Sequence, residues 1–285
     1  MPEGDTIFRA AHNLSRALAG AVVTGFETAY AQLAAVNDNT PLVGQTIERV
    51  WAHGKHMYIS FSGSAGVPEN NRPKLILHTH MRMNGSWHIY RPGEKWQRAP
   101  QHARLVLRTE KFVAIAFDVP VADFQTERQQ ERSAAMLGPD LLAADFDPAA
   151  AFTRMRKRTD LDISAALLNQ RVMAGVGNVY KSEVLFLERV DPHTPVAQLP
   201  DAQLVAIIAR SQKLLRANVN AKNDDGIVTY TGLRRTTGRD DPSARLWVYG
   251  RGGEPCRECA TPIAFYKQGD GARSTYYCST CQKLY

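Results

Sequence analysis

The four cysteines lie close together near the end of the chain, as Cys256-x2-Cys259-x18-Cys278-x2-Cys281. Two such pairs can bring four thiolates into tetrahedral contact with one zinc ion, each pair seated on a tight knuckle. Four thiolates leave no coordination position for water, so a zinc held this way is structural. Two disulfides, or a redox-active pair, are the alternatives for the same residues. Against them, Glu3 and Asp5 make the start unlike a secretory signal, and an intracellular chain keeps its thiols reduced. Between the two pairs lie Lys267, Arg273, Tyr276 and Tyr277, cations and aromatics that suit a phosphate backbone.

A second group of residues surrounds Gly175-Val-Gly-Asn178-Val-Tyr-Lys181. The two glycines predict a tight turn with Asn178 as N-cap of a helix running to Arg189. Backbone N–H groups and a helix dipole there make an anion site, at which Asn178 and Lys181 would bind a phosphate. A plain packing turn between two helices is the other reading of the same segment.

The third group is the start, Met1-Pro2-Glu3-Gly4. Removal of Met1 leaves Pro2 with a free secondary amine. An α-amino group titrates near 7.7–8.0, so about a quarter is unprotonated near neutral pH, against about 0.1% of an ordinary lysine. Attack of that amine on a sugar aldehyde gives an iminium, an electron sink that makes the adjacent C–H acidic enough for elimination. Glu3 beside it is placed to move protons. By itself Pro-Glu is an ordinary N-terminus. Lys55, in Trp51-Ala-His-Gly-Lys-His56, would project from a strand-opening turn built on Gly54.

The elements that must position these groups follow from periodicity. Ile7, Ala10, Ala11, Leu14 and Leu18 recur at helical spacing, and Gly20 stops the helix. Seven strand-like segments follow, at 22–28, 46–52, 56–62, 74–80, 85–90, 103–108 and 112–118, read as an antiparallel sandwich or barrel. Residues 126–147 read as a linker. Helices are then expected at 148–157, 162–170, 178–189 and 201–218. The expected class is α+β and multidomain: an opening helix and antiparallel β-sandwich (1–125), the linker, a helical domain (148–245) and a four-cysteine zinc-ribbon finger (246–285).

Lys and Arg number 35 against 28 Asp and Glu, a formal charge of +7. Residues 1–153 hold 15 of each, and the remaining 132 hold 20 and 13, so the whole surplus lies in the half that carries the cysteines. That half is the expected nucleic-acid surface. No apolar run reaches the length of a membrane span. The chain reads as a cytoplasmic monomer with a polyanionic partner and no membrane partner.

Together these features resemble the formamidopyrimidine-DNA glycosylase and endonuclease VIII (Fpg/Nei) family of base-excision repair enzymes. The resemblance runs nearly the full length: Met-Pro-Glu-Gly at the start, Gly54-Lys55, Gly175-Val-Gly-Asn-Val-Tyr, Trp247-Val-Tyr-Gly-Arg-x-Gly-Glu-Pro-Cys256 and Arg273-Ser-Thr-Tyr-Tyr-Cys278. It implies a β-sandwich and a helix–two-turn–helix domain with zinc finger, acting on damaged double-stranded DNA from which a base is swung out. It implies Pro2 as the nucleophile that forms a Schiff base, Glu3 as general acid/base, and Lys55 as a DNA-contacting lysine that assists base release. Asn178 and Arg273 match positions that grip phosphates around the flipped nucleotide. Met83 matches a residue that fills the vacated space, although Met81 and Met83 both fit a strand core. One structural zinc and no redox or nucleotide cofactor are implied.

Where the 8-oxoguanine-directed branch has Asp-Pro-Arg-Arg-Phe, this chain has Asp118-Val-Pro-Val-Ala-Asp-Phe124. The arginine that reads the opposite base is missing, and Gly4 replaces a leucine common in that branch. Both favour the endonuclease VIII side and oxidised pyrimidines. Residues 223–242 are expected to include a loop near the base pocket. The competing readings are a zinc-dependent protein that binds damaged DNA without cutting it, an 8-oxoguanine glycosylase, and an RNA-binding ribosome-associated protein.

Overall fold

The computed structural model describes residues 2–63, 74–219, 236–237, 245–269 and 272–285. Met1 and most of the 223–242 loop lie outside the described residues. The described chain divides into two compact units, one running to Ala135 and the other beginning at Met136.

The first unit opens with helix α1 (Gly4–Leu18), whose apolar stripe Ile7, Ala10, Ala11, Leu14 and Leu18 is wholly buried. Gly20 takes the left-handed conformation (φ +81°) that turns the chain away from the helix. Strand β1 (Val23–Thr28) and a short helix α2 (Ala31–Asn39) follow. Then come β2 (Ile47–His53), β3 (His56–Phe61), β4 (Ile76–His80), β5 (Ser86–Tyr90), β6 (Ala103–Thr109), β7 (Val113–Phe117) and β8 (Val121–Gln125). They form two four-stranded sheets, ordered β1-β6-β7-β5 and β2-β3-β4-β8, with every described pairing antiparallel. Side chains alternate across each strand. One face of the second sheet therefore sends Val50, Met57, Ile59, Phe61 and Leu77 into a core shared with Leu105, Leu107, Ala114, Ala116 and Trp87 of the first sheet. The α1 stripe belongs to the same core. The expected sandwich is thus present, with one more strand than the seven read from the sequence, since β8 begins only three residues after the last one expected.

Two helices of this unit were not expected. Helix α2 buries only Leu33, so no apolar period marks it. Helix α3 (Glu127–Ala135) falls in the stretch read as linker, buries none of its residues, and packs on β8.

The second unit is helical. Helix α4 (Pro148–Arg156) has proline at its first position, and Asp147 accepts from the N–H groups of Ala149 and Ala150. Helix α5 (Ile163–Leu168) is capped by Asp162, which accepts from Ala165 N–H. Helices α6 (Asn178–Leu187) and α7 (Asp201–Val219) complete the core of Leu167, Val176, Tyr180, Leu185, Leu204, Ile207 and Leu215. The finger is a hairpin of β9 (Ala264–Gln268) and β10 (Arg273–Tyr277). Too small for a core of its own, it shares one with α6 through Phe186, Val248, Ile263 and Cys278.

Candidate functional site

The four cysteine sulfurs lie within 4.8 Å of one another, with Cys259–Cys278 at 3.4 Å and Cys256–Cys281 at 3.9 Å. Ligands about 2.3 Å from a tetrahedral zinc stand about 3.8 Å apart, which this spread brackets. A disulfide needs about 2.05 Å, and all four thiols are free. The cluster is consistent with a structural zinc site, held by Cys256, Cys259, Cys278 and Cys281. Its base is tied to the helical domain: Gln282 accepts from Cys278 N–H and donates to the Val190 carbonyl.

The turn before α6 has an internal brace that sequence reading missed. The Gln170 amide accepts from Gly175 N–H and donates to the carbonyls of Leu168 and Val176, while Gly175 takes φ +117°. Gly177, with extended backbone, is the N-cap, so the capping role expected of Asn178 is corrected: Asn178 is the first helical residue. Its side chain is therefore released from capping. At 8% exposure, its Oδ1 atom is buried with no hydrogen-bond partner among the described residues.

Lys181 has a different place from the one expected. It is 0% exposed, and its ammonium donates to Thr275 Oγ1 at 2.6 Å and to the Ser274 carbonyl at 3.3 Å. One turn beyond Asn178 the helix faces the hairpin, so Lys181 braces β10 from within and has no exposed head for a phosphate. Arg273, the first residue of that strand, is exposed. Glu183 is a second feature without a sequence signal. Its wholly buried carboxylate accepts from the N–H groups of Trp247, Val248 and Tyr249 and from the Thr236 hydroxyl. Burial pushes its pKa up, against the downward pull of those four donors.

In the first unit, Pro2 is half-buried and Glu3, the residue before α1, is 0% exposed, with its carbonyl accepting from Ile7 N–H. Lys55 sits at the tip of the β2–β3 hairpin, in a two-residue loop closed by the pair His53 and His56. Gly54 supplies the left-handed first position (φ +57°) that such a loop requires. Met83 and Met81 separate clearly: Met81 is core, whereas Met83 is 64% exposed on the turn after β4. The sequence reading also passed over the histidines around Lys55. His56 and His80 pack edge to face with ring centroids 4.8 Å apart. Their pKa values fall to about 3 and about 4, first through burial and then through neighbouring positive charge, so both are neutral at physiological pH. Asp118 holds Arg98 and His102, and Asp123 pairs with His78, so the two acids of the Asp118–Phe124 stretch are engaged locally.

Known proteins resemble the chain along its whole length. Residues 1–120 match the formamidopyrimidine-DNA glycosylase N-terminal domain, and 137–230 match the formamidopyrimidine-DNA glycosylase H2TH domain. The chain is 39% identical to a probable endonuclease 8 2 of Streptomyces coelicolor, over 99% of this chain and 94% of that one. It is 36% identical to the DNA-(apurinic or apyrimidinic site) lyase Nei2 of Mycolicibacterium smegmatis, over 99% of both. The fold is that of Lactococcus lactis Fpg crystallised with abasic-site DNA, at a TM-score of 0.78 and 22% identity, covering 99% of this chain and 100% of that one. With two domain models matched in order and full-length identity well above 30%, the chain belongs to the Fpg/Nei family and lies with its endonuclease VIII members.

Proposed function

We propose that the protein is a bifunctional DNA glycosylase and AP lyase that removes oxidised pyrimidines from duplex DNA. The observation that carries this reading is the N-terminus itself: half-buried Pro2, whose nitrogen becomes an amine once Met1 is removed, directly ahead of a carboxylic acid, Glu3, removed from solvent. The Pro2 nitrogen attacks C1′ of the damaged nucleotide and the base leaves with the glycosidic electron pair and a proton; the C1′–O4′ bond then breaks, O4′ takes its electron pair and a proton, and the opened sugar is held as an iminium. Loss of a C2′ proton expels the 3′ phosphate, a second elimination expels the 5′ phosphate, and water releases the sugar remnant from Pro2. Glu3 moves protons at the sugar, and Lys55 contacts DNA and assists base departure. Asn178 and Arg273 grip phosphate, and Met83 fills the space the flipped base leaves. A zinc on the four cysteines would supply folding energy to the hairpin that carries Arg273.

The preference for pyrimidines rests on the missing arginine between Asp118 and Phe124, on Gly4, and on relatives named endonuclease 8. Borohydride reduces an iminium, so damaged duplex should become covalently attached to the protein. Acetylation of a retained Met1 should abolish both attachment and cutting; normal cutting by that protein would refute Pro2 as nucleophile. In a panel of lesions, cutting of 8-oxoguanine opposite cytosine faster than oxidised pyrimidines would refute the substrate class. Binding to damaged duplex with no scission by the wild-type protein would favour a binding protein instead.

A further inference from the structure

The outer face of the second sheet carries one continuous row of side chains in register across all four strands. Trp51 pairs with Tyr58, Tyr58 with His78, and His78 with Asp123. The Arg49 guanidinium lies 4.8 Å from the Trp51 ring centroid. Trp51 stacks on Tyr58 at 5.2 Å and Tyr58 on His78 at 5.0 Å. At the far end the row becomes a hydrogen-bonded chain. His78 Nδ1 stands 2.6 Å from Asp123 Oδ1, and His78 Nε2 stands 2.9 Å from His56 Nδ1.

The order of protons along this chain follows from its anchored end. The Asp123 carboxylate also accepts from Gln125 at 2.7 Å; burial alone would raise its pKa, but the hydrogen bonds from His78 and Gln125 bring it below the ordinary value. An ionised carboxylate only accepts, so His78 donates from Nδ1; with the His78 ring neutral, its Nε2 is left to receive the Nδ1–H of His56. His56 is left with its Nε2 lone pair. It follows Lys55 directly in the hairpin, and its ring stands edge to face with that of His80, whose Nδ1 accepts from Arg82 N–H. At 8% exposure His78 needs a partner for each ring nitrogen, but burial alone does not require that the chain of partners run on to a hairpin turn. Their common end is the turn that carries Lys55.

We propose that Asp123, His78 and His56 are positioning residues: Asp123 sets the proton of His78, His78 sets that of His56, and the locked row fixes the Lys55 turn and the His80 ring. The tautomer relay stands on the row's own geometry; its consequence for DNA rests on the reading of Lys55 given above. Neither His78 nor Asp123 need touch the substrate. The relay works like the outer partners that orient a metal-bound or catalytic imidazole through its second nitrogen.

The test uses the full-length protein with nitrogen-labelled histidines and a duplex containing one abasic site. Nitrogen–proton correlation spectra should put the wild-type His56 and His78 protons on Nδ1, and Asp123→Ala should move or average that of His56. In single-turnover cleavage, Asp123→Ala and His78→Phe should raise the half-saturating DNA concentration about three- to tenfold, the worth of one positioning hydrogen bond, while the limiting rate is retained. His78→Phe keeps a ring on Tyr58, and Asp123→Asn, which retains an acceptor, should restore most of the affinity. Should His78→Phe fail to fold, Asp123→Ala, at a side chain 44% exposed, carries the same test. A His56 proton on Nε2 in the wild type, or indifferent to Asp123, would overturn the relay, and unchanged half-saturation in both variants would overturn its role. If Lys55→Ala cuts as wild type does, the reading of Lys55 fails instead, and the nitrogen spectra alone decide the relay.

Discussion

Replacing Glu183 by glutamine changes one oxygen to an NH2 group and so tests whether the finger is held by a buried carboxylate. Oε1 accepts from Val248 N–H at 2.9 Å and Tyr249 N–H at 2.8 Å, and Oε2 accepts from Trp247 N–H at 2.8 Å and from the Thr236 hydroxyl. In Glu183→Gln the amide oxygen serves two of these donors at most. The least costly orientation points the new NH2 toward Trp247 and Thr236, because a hydroxyl can rotate and become an acceptor. One backbone N–H, that of Trp247, is then buried without a partner and faces another donor. Such a group costs about 1–3 kcal/mol. Taking about 2 kcal/mol, and about 2–4 °C per kcal/mol for a unit of this size, the helical domain and finger should melt about 4–8 °C lower. Trp247 stacks on Phe186 and Tyr249 meets Tyr276 edge to face, so loosening this segment should also loosen the finger. The assay is thermal unfolding of the zinc-loaded protein, with release of zinc to a chelator timed in parallel. A variant that melts within 1 °C of wild type, by roughly the accuracy of that scale, would refute the reasoning.

Two further outcomes follow from the geometry. Asn178→Ala should leave the melting temperature unchanged or slightly raised, since Oδ1 has no partner to lose, while weakening binding to an abasic-site duplex about three- to tenfold; a destabilised protein with normal binding would mean the amide is structural. Because burial holds His56 near 3 and His80 near 4, the folded protein binds fewer protons than the unfolded chain between those values and about 6.5. Stability from this pair is therefore fully present above about 6.5 and is lost as pH falls toward the folded values, so the melting temperature of the β-sandwich should decline below about 6.5, less steeply in His56→Gln; identical slopes would refute the assignment.

What the sequence made legible was whatever has a local signature. The α1 stripe recurs every three or four residues, and the cysteine pairs have a ligand spacing. The Gly54–Lys55 loop has the glycine its backbone needs. Helix α2 has no period to read, because only Leu33 is buried, and α3 is polar on every side. Lys181 shows a different limit. Near a phosphate-binding turn a lysine reads as a ligand, but its direction depends on the helical phase, which here points it at β10. Long-range polar contacts were beyond reach altogether. Three of the four Glu183 partners are backbone N–H groups 64 to 66 positions away, and His78 meets Asp123 across 45 positions. A backbone donor carries no side-chain identity, so no residue type can announce it.

The first two turns of α6 connect these observations into one mechanical unit. Asn178 opens the helix with an unpartnered amide oxygen. One turn on, Lys181 holds Thr275 and the Ser274 carbonyl, the Ser182 hydroxyl accepts from Tyr276 N–H, and Glu183 holds the chain from Trp247 to Tyr249. Arg273 directly precedes the residues that Lys181 grips, so Lys181 ties the helix that Asn178 opens to the strand that Arg273 opens. A buried ammonium is costly unless its donors are used, and that cost fixes the tie: a shift of β10 along α6 would strand Lys181 without its partners. The four-cysteine cluster closes the other end of the same hairpin, with Cys278 one residue beyond β10. The surplus positive charge of this half therefore divides in function. Arg273 is exposed, as the proposed phosphate contact requires, whereas Lys181 is consumed in holding the strand that Arg273 opens.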